Sequence, residues 1–199
     1  QREVSQGRTG RLICFNSMLA RHLQEKFSGL EGLRVSTFHQ ELLRLSGIGA
    51  APKNAGKEFW EQELPKLAIE GLAASPSHEI GDFLIVDEAQ DLAIESYLDV
   101  MDLLVLGGFD DGNIYFFGDF EQQAIYQNNA SQDVLKRRIP RLASLRLLKN
   151  CRNLPRIGYQ VNLIAVLSPG YKNFRRDDDG IDPQIIRFDE GADQDELLF

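Results

Sequence analysis

Phe83, Leu84, Ile85 and Val86 form an unbroken apolar run, and the polar string Asp87-Glu88-Ala89-Gln90-Asp91 follows without a spacer. A short continuous run of this kind fits a strand covered on both faces, as in a parallel sheet. Carboxylates at the C-terminal end of such a strand fall where open α/β sheets bind ligands, and paired acids there suit a bound Mg²⁺ or an activated water. The run therefore predicts both a fold class and the edge at which to look for chemistry.

The rest of the chain supports that class. "RLICF" reads as a strand and "NSMLARHLQEKF" as a helix, with Met18, Leu19, His22, Leu23 and Phe27 at helical spacing. "LRVST" leads into "FHQELLRL" in the same way, and "KEFWEQELPKLAIEGL" reads as a helix disturbed by Pro65. Beyond the acidic strand come a helix "AIESYLDVMDLLVL", a strand "NIYFFGD", a basic helix near Val134, a strand "SLRLL", a helix "RIGYQVNLIAVL" and a strand "PQIIRF". Repeated alternation of this kind predicts an α/β fold with a mostly parallel sheet and helices on both faces.

Composition narrows the function classes. The chain has 199 residues and a formal net charge of -8, which argues against indiscriminate coating of nucleic acid. Its charges are segregated. Twelve acids and no Lys or Arg lie between Glu79 and Glu121, whereas Lys136 to Arg156 carries eight cations and no acid. Such blocks are by default solvated faces. No apolar run approaches bilayer length and the N-terminus lacks a hydrophobic signal core, so a cytoplasmic protein with no membrane partner is expected. Cys14 and Cys151 stand far apart with no CxxC or nearby His, which indicates neither a disulfide framework nor a zinc site.

Five stretches carry a family resemblance. "LIVDEAQDL" resembles the Walker B motif of superfamily 1 helicases of the UvrD and Rep type, and "FFGDFEQQAIY" resembles their third motif. "LLKNCRN" is similar to their fourth motif, "ICFNSMLARHL" to motif Ia and "VSTFHQELL" to motif Ib, all in the family's order. The resemblance implies a RecA-like P-loop NTPase domain, with ATP and Mg²⁺ as cofactors and single-stranded DNA as partner. By the same resemblance, Asp87 holds Mg²⁺, Glu88 orients and deprotonates the attacking water, and Asp119 supports the water or metal. Gln123 senses the γ-phosphate, although Gln122 offers a second alignment, and Arg152 faces the charge developing on the transferred phosphoryl group. Motifs Ia and Ib nominate Phe15, Asn16, Thr37, Phe38 and His39 for DNA contact, and Tyr126 is a further candidate for base stacking. Phe15 and Phe38 read equally well as core residues. After the tyrosine the family continues with Trp and Arg, whereas this chain has "QNNAS".

The family's G-x-x-x-x-G-K-[ST] loop is missing. Only Gly56-Lys57 offers a "GK", and there Ala51 stands for the first glycine, Glu58 for the Mg²⁺-binding hydroxyl, and no strand precedes it. The expected organisation is a partial first RecA-like domain over 1–165, lacking the first strand and P-loop, with a short insertion at 46–80. Residues 166–199 are expected to form the linker and the start of a second motor domain. The expected function is a fragment of an ATP-dependent DNA helicase or translocase, inactive as an isolated chain. A nonenzymatic DNA- or protein-binding module is the alternative. A Mg²⁺-dependent nuclease or phosphohydrolase is disfavoured because it leaves the other motifs unexplained.

Overall fold

The structure is a computed structural model that describes residues 2–74, 79–120, 130–164, 166 and 170–184. It divides into two compact units, Gln1–Ala143 and Ser144–Phe199. In the first, the elements run α1 (Arg2–Ser5), β1 (Gly10–Cys14), α2 (Ser17–Lys26), β2 (Leu33–Thr37) and α3 (Phe38–Ser46). A π-helix (Phe59–Glu63), α4 (Leu64–Ala74), β3 (Phe83–Val86), α5 (Ala89–Leu92), α6 (Glu95–Leu103), α7 (Gly108–Asp111), β4 (Asn113–Phe116) and α8 (Ala130–Arg138) complete it.

The four strands form one parallel sheet in the order β2-β1-β3-β4. After β1 the chain pairs outward to β2 and returns to pair β3 on the other side, so the strand order reverses between β1 and β3. Such a reversal is a switch point, and in open α/β sheets ligands usually bind there at the strands' C-terminal ends. The apolar runs have the expected cause: β1 and β3 are buried on both faces, and Ile13, Leu84 and Val86 are fully enclosed with Phe38, Leu42, Leu64, Leu98, Met101 and Leu104. Each such side chain contributes about 1.5–3 kcal/mol by leaving water. Edge strand β4 instead alternates, with Ile114 and Phe116 half-buried and Asn113 and Tyr115 exposed. Among the described residues, no helix is long and apolar enough to cross a membrane.

Two expected helices are re-divided for identifiable reasons. Pro65 has no N–H to donate to the carbonyl of Glu61, and that oxygen instead accepts the Ser96 hydroxyl at 2.5 Å. The turn just before the proline widens into the π-helix, closed by Leu64 N–H donating to Phe59 O. The segment 93–106 is helical only over α6, because Gly81 N–H donates to Leu104 O at 2.9 Å and Leu106 N–H to Gly81 O at 2.8 Å. Those bonds draw the chain out of the helix and alongside the start of β3.

Near the N-terminal ends of the strands lies an ion network built on the buried pair Arg11 and Glu41. Arg11, 5% exposed, donates to Glu41 at 2.8 Å and Glu79 at 2.7 Å, and Arg44 bonds both acids from the other side. Burial works to raise the Glu41 carboxyl, but hydrogen bonds from Arg44 and Arg11 outweigh it and hold the group below its ordinary value. Part of the basic block is neutralised in a similar way: Arg137 pairs with Glu95, and Arg138 with Glu95 at 3.1 Å and Asp99 at 2.5 Å.

The second unit contains β5 (Lys149–Asn150), α9 (Pro155–Ile164) and β6 (Asn173–Phe174), with β5 and β6 paired in parallel. "SLRLL" is not a strand here, contrary to expectation. Leu145 and Leu147 are 91% and 84% exposed, and pairing begins only at Lys149. Apolar alternation favours an extended chain, but a strand needs a neighbour to take its amides. In α9, Gly158 lets the Phe174 ring approach to within 2.1 Å of where a Cβ would stand. The expected strand "PQIIRF" lies almost wholly outside the described residues.

Candidate functional site

Asp87 is the first residue beyond β3, and its amide donates to Ile13 O at 2.8 Å, which fixes it beside the end of β1. Glu88 takes a left-handed backbone (φ 52°, ψ 45°), uncommon for a non-glycine residue. Its amide donates to Asp87 Oδ1 at 3.1 Å. This turn ends the strand abruptly and starts α5, leaving both carboxylates half-buried at the edge.

The acids are held by an amide. Gln90, 8% exposed, donates through Nε2 to Glu88 Oε2 at 2.7 Å and to Asp91 Oδ2 at 3.2 Å. Its Oε1 accepts the Asp119 amide at 3.1 Å, which ties the end of β3 to the end of β4. The approach is close: a Cβ on Gly118 would stand 2.6 Å from Gln90 Oε1 and 3.2 Å from Ala89 N. Among the described residues no Lys or Arg pairs with Asp87, Glu88 or Asp91. Burial, and then the charge on Glu88, raises the Asp91 carboxyl. Burial and the charge on Asp87 push the neighbouring Cys14 thiol up to about 11, so it stays protonated.

Among the described residues no group of three or more His, Cys, Asp and Glu side chains is gathered into a metal cage. Two edge carboxylates nevertheless fit Mg²⁺ in number, because that ion keeps several waters and takes only one or two carboxylates beside its phosphates. Among the described residues a triphosphate cradle has no counterpart. Lys57 is 82% exposed and pairs with Glu61 at 3.6 Å on the surface helix that leads into the π-helix.

A second group of residues follows β1 and β2. Asn16 caps α2, its Oδ1 accepting from Met18 N–H at 2.8 Å and Leu19 N–H at 3.1 Å. Thr37 caps α3 in a reciprocal box with Gln40 and is 5% exposed. Both side-chain oxygens are thus engaged in starting helices. Phe15 is 47% exposed and meets His39 edge-on at 5.8 Å. His39 also meets Trp60 at 5.0 Å and Tyr97 at 5.9 Å, with Nε2 3.1 Å from the Tyr97 hydroxyl. Burial lowers the pKa of His39, which keeps the ring neutral near pH 7.

No family model matches the sequence, and no curated protein matches it significantly. The assignment of roles therefore rests on the residues themselves.

Phe38 requires a correction. It is fully buried and packs edge-on against Tyr97 at 4.8 Å, so its ring belongs to the core and has no face to offer a base. Gln90 links the Glu88 carboxylate to the backbone of Asp119, Asp87 is joined to Glu88 by the bond from the Glu88 amide to Asp87 Oδ1, and Phe15 and His39 meet through ring contact. Arg152 is exposed in the second unit, on a turn in which Asn150 Oδ1 accepts the amides of Arg152 at 3.0 Å and Asn153 at 2.9 Å. Gln122, Gln123 and Tyr126 lie outside the described residues. Sequence reasoning missed Gln90 and Trp60. For Gln90 a signal existed, because an amide between acids is the side chain that can donate to one group while accepting from another.

Proposed function

We propose that this chain belongs to the motor of an ATP-dependent DNA helicase or translocase and forms the part of a RecA-like domain that presents Walker B acids and a single-strand-binding edge. The observation that carries the reading is the pair Asp87 and Glu88, with no Lys or Arg paired to either among the described residues, at the switch point of a parallel sheet, with exposed Phe15 following the adjacent strand. Asp87 would hold Mg²⁺, directly or through water, and the metal would supply charge neutralisation for the transferred phosphate. Glu88 accepts the proton of the attacking water, with its carboxylate aimed by Gln90. Phe15 and His39 supply flat apolar surface for an unstacked base.

The sequence has no phosphate loop, which favours one alternative: a nonenzymatic module that keeps the sheet edge for DNA or protein binding. ATP turnover separates the two. Wherever a phosphate loop is supplied beside this edge, Glu88→Gln is expected to lower turnover by about 100-fold or more while nucleotide affinity is retained. Unchanged turnover in that variant removes Glu88 from the chemistry. DNA-stimulated turnover undetectable even in the wild type leaves the nonenzymatic module. The 199-residue chain alone, without a cradle for the triphosphate, is expected to hydrolyse ATP at background rate.

A further inference from the structure

The two outer strands of the sheet are finished in different ways. On one side, Gln24 Nε2 donates to Val35 O at 2.8 Å and occupies part of the rim of β2. On the other, β4 pairs only with β3 among the described residues. Phe117 N–H donates to Val86 O and Phe117 O accepts from Ala89 N–H, so by alternation the N–H and C=O groups of Ile114 and Phe116 point away from the sheet. Edge strands are ordinarily protected by lysine, proline, a bulge or a covering element. Residues 113–117, Asn-Ile-Tyr-Phe-Phe, include neither lysine nor proline, and Tyr115 and Phe117 share one face of the strand at 44% and 52% exposure.

Residues 144–148 have the complementary character. Leu145 and Leu147 alternate onto one side of an extended chain, are almost fully exposed, and precede a strand whose pairing begins only at Lys149. The charges match as well. Exposed Asp110 and Asp111 precede β4 and Asp119 follows it, within a stretch from Glu79 to Glu121 that has no Lys or Arg. Arg141 precedes 144–148 and Lys149 follows, within a stretch from Lys136 to Arg156 that has no acid. Two β4 edges paired antiparallel about Tyr115 would set Asp111 against Asp119 at both ends, whereas 144–148 brings cations there. We infer that residues 144–148 of a second copy of this chain add to the outer edge of β4 as a further strand, with Leu145 and Leu147 packed on Tyr115 and Phe117. Given reciprocally, the exchange closes a two-fold dimer and covers both edges. The inference is independent of nucleotide or DNA binding.

The test is sedimentation of the 199-residue protein from micromolar to sub-millimolar concentration, with hydrogen exchange read at the backbone amides of Ile114 and Phe116. A monomer–dimer equilibrium is expected, with those amides protected in the dimer and a dissociation constant that rises with salt. Leu145→Asp combined with Leu147→Asp should raise that constant by about 10-fold or more and expose the same amides. The salt series uses the wild type, so it stands even if the double variant fails to fold. A monomer at every concentration, a dimer that tightens with salt, or a dimer indifferent to the double replacement would overturn the inference. Protection of the Ile114 and Phe116 amides in a monomer, lost in the double variant, would put the segment on β4 of its own copy and overturn the second copy as occupant.

Discussion

The two ends of the parallel sheet hold the same chemical group under opposite conditions. Toward the strands' N-termini, Glu41 and Glu79 are clasped by Arg11 and Arg44, and Glu41 is 1% exposed. At their C-termini Asp87, Glu88 and Asp91 crowd one turn, where a neutral amide holds Glu88 and Asp91 and no Lys or Arg pairs with any of the three among the described residues. A guanidinium satisfies a carboxylate and closes it to other partners. An amide fixes its position and leaves its charge available. Carboxylates gathered without counter-charge are costly to the fold, and of these three it is Asp91 whose carboxyl is raised, by burial and then by the charge on Glu88.

Removing the paired acid should have the largest effect. Glu41→Ala takes from buried Arg11 one of its two carboxylate partners, Glu79 remaining at 2.7 Å, and should cost about 3 kcal/mol of stability, measured by urea denaturation. The double replacement Arg11→Met with Glu41→Leu should recover most of that loss, because it removes the stranded charge. A Glu41→Ala loss within a few tenths of a kcal/mol would mean that this end is not sealed in solution.

The amide clamp comes next. Gln90→Leu strands the Glu88 carboxylate and the Asp119 amide, and a loss of about 1–3 kcal/mol is expected in the same assay. Glu88→Gly should shift stability the other way. Glycine takes the left-handed backbone without steric cost, so a gain of about 1 kcal/mol is expected alongside the loss of the water-activating group. A destabilised Glu88→Gly would contradict the idea that the carboxylate is kept at the fold's expense.

The smallest effect is a pH slope at the aromatic face. The folded pKa of His39 lies below its ordinary 6.5 because burial disfavours the charged ring. As pH falls through 6.5, the unfolded chain takes up a proton that the folded chain does not, so stability declines; above 6.5 the contribution is fully present. His39→Gln should remove that slope, read as the difference between two pH series of melting curves.

The sheet was legible because its signal is local. Phe83–Val86 and "RLICF" declare strands through continuous burial, and Asn16 and Thr37 mark helix starts by their own chemistry. Long-range pairing was not legible. "SLRLL" has the pattern of a strand but not a partner, and the helix after β3 ends early because Gly81, far back in the chain, captures Leu104 and Leu106. At the site, the acids could be named from their string alone. That Gln90 would reach Asp119, and that Trp60 would meet His39, depends on contacts across the fold which no local pattern encodes.

The backbone of Glu88 also bears on how this position can drift. Glycine codons lie a single base change from glutamate codons, so relief of the left-handed turn is always within reach of one mutation. In a lineage with no use for the carboxylate, that mutation would meet no opposition and would be favoured wherever stability is under selection. Glutamate at 88 is therefore an unstable resting point for neutral change, and the residue found there in related genes would report whether the edge is still in use.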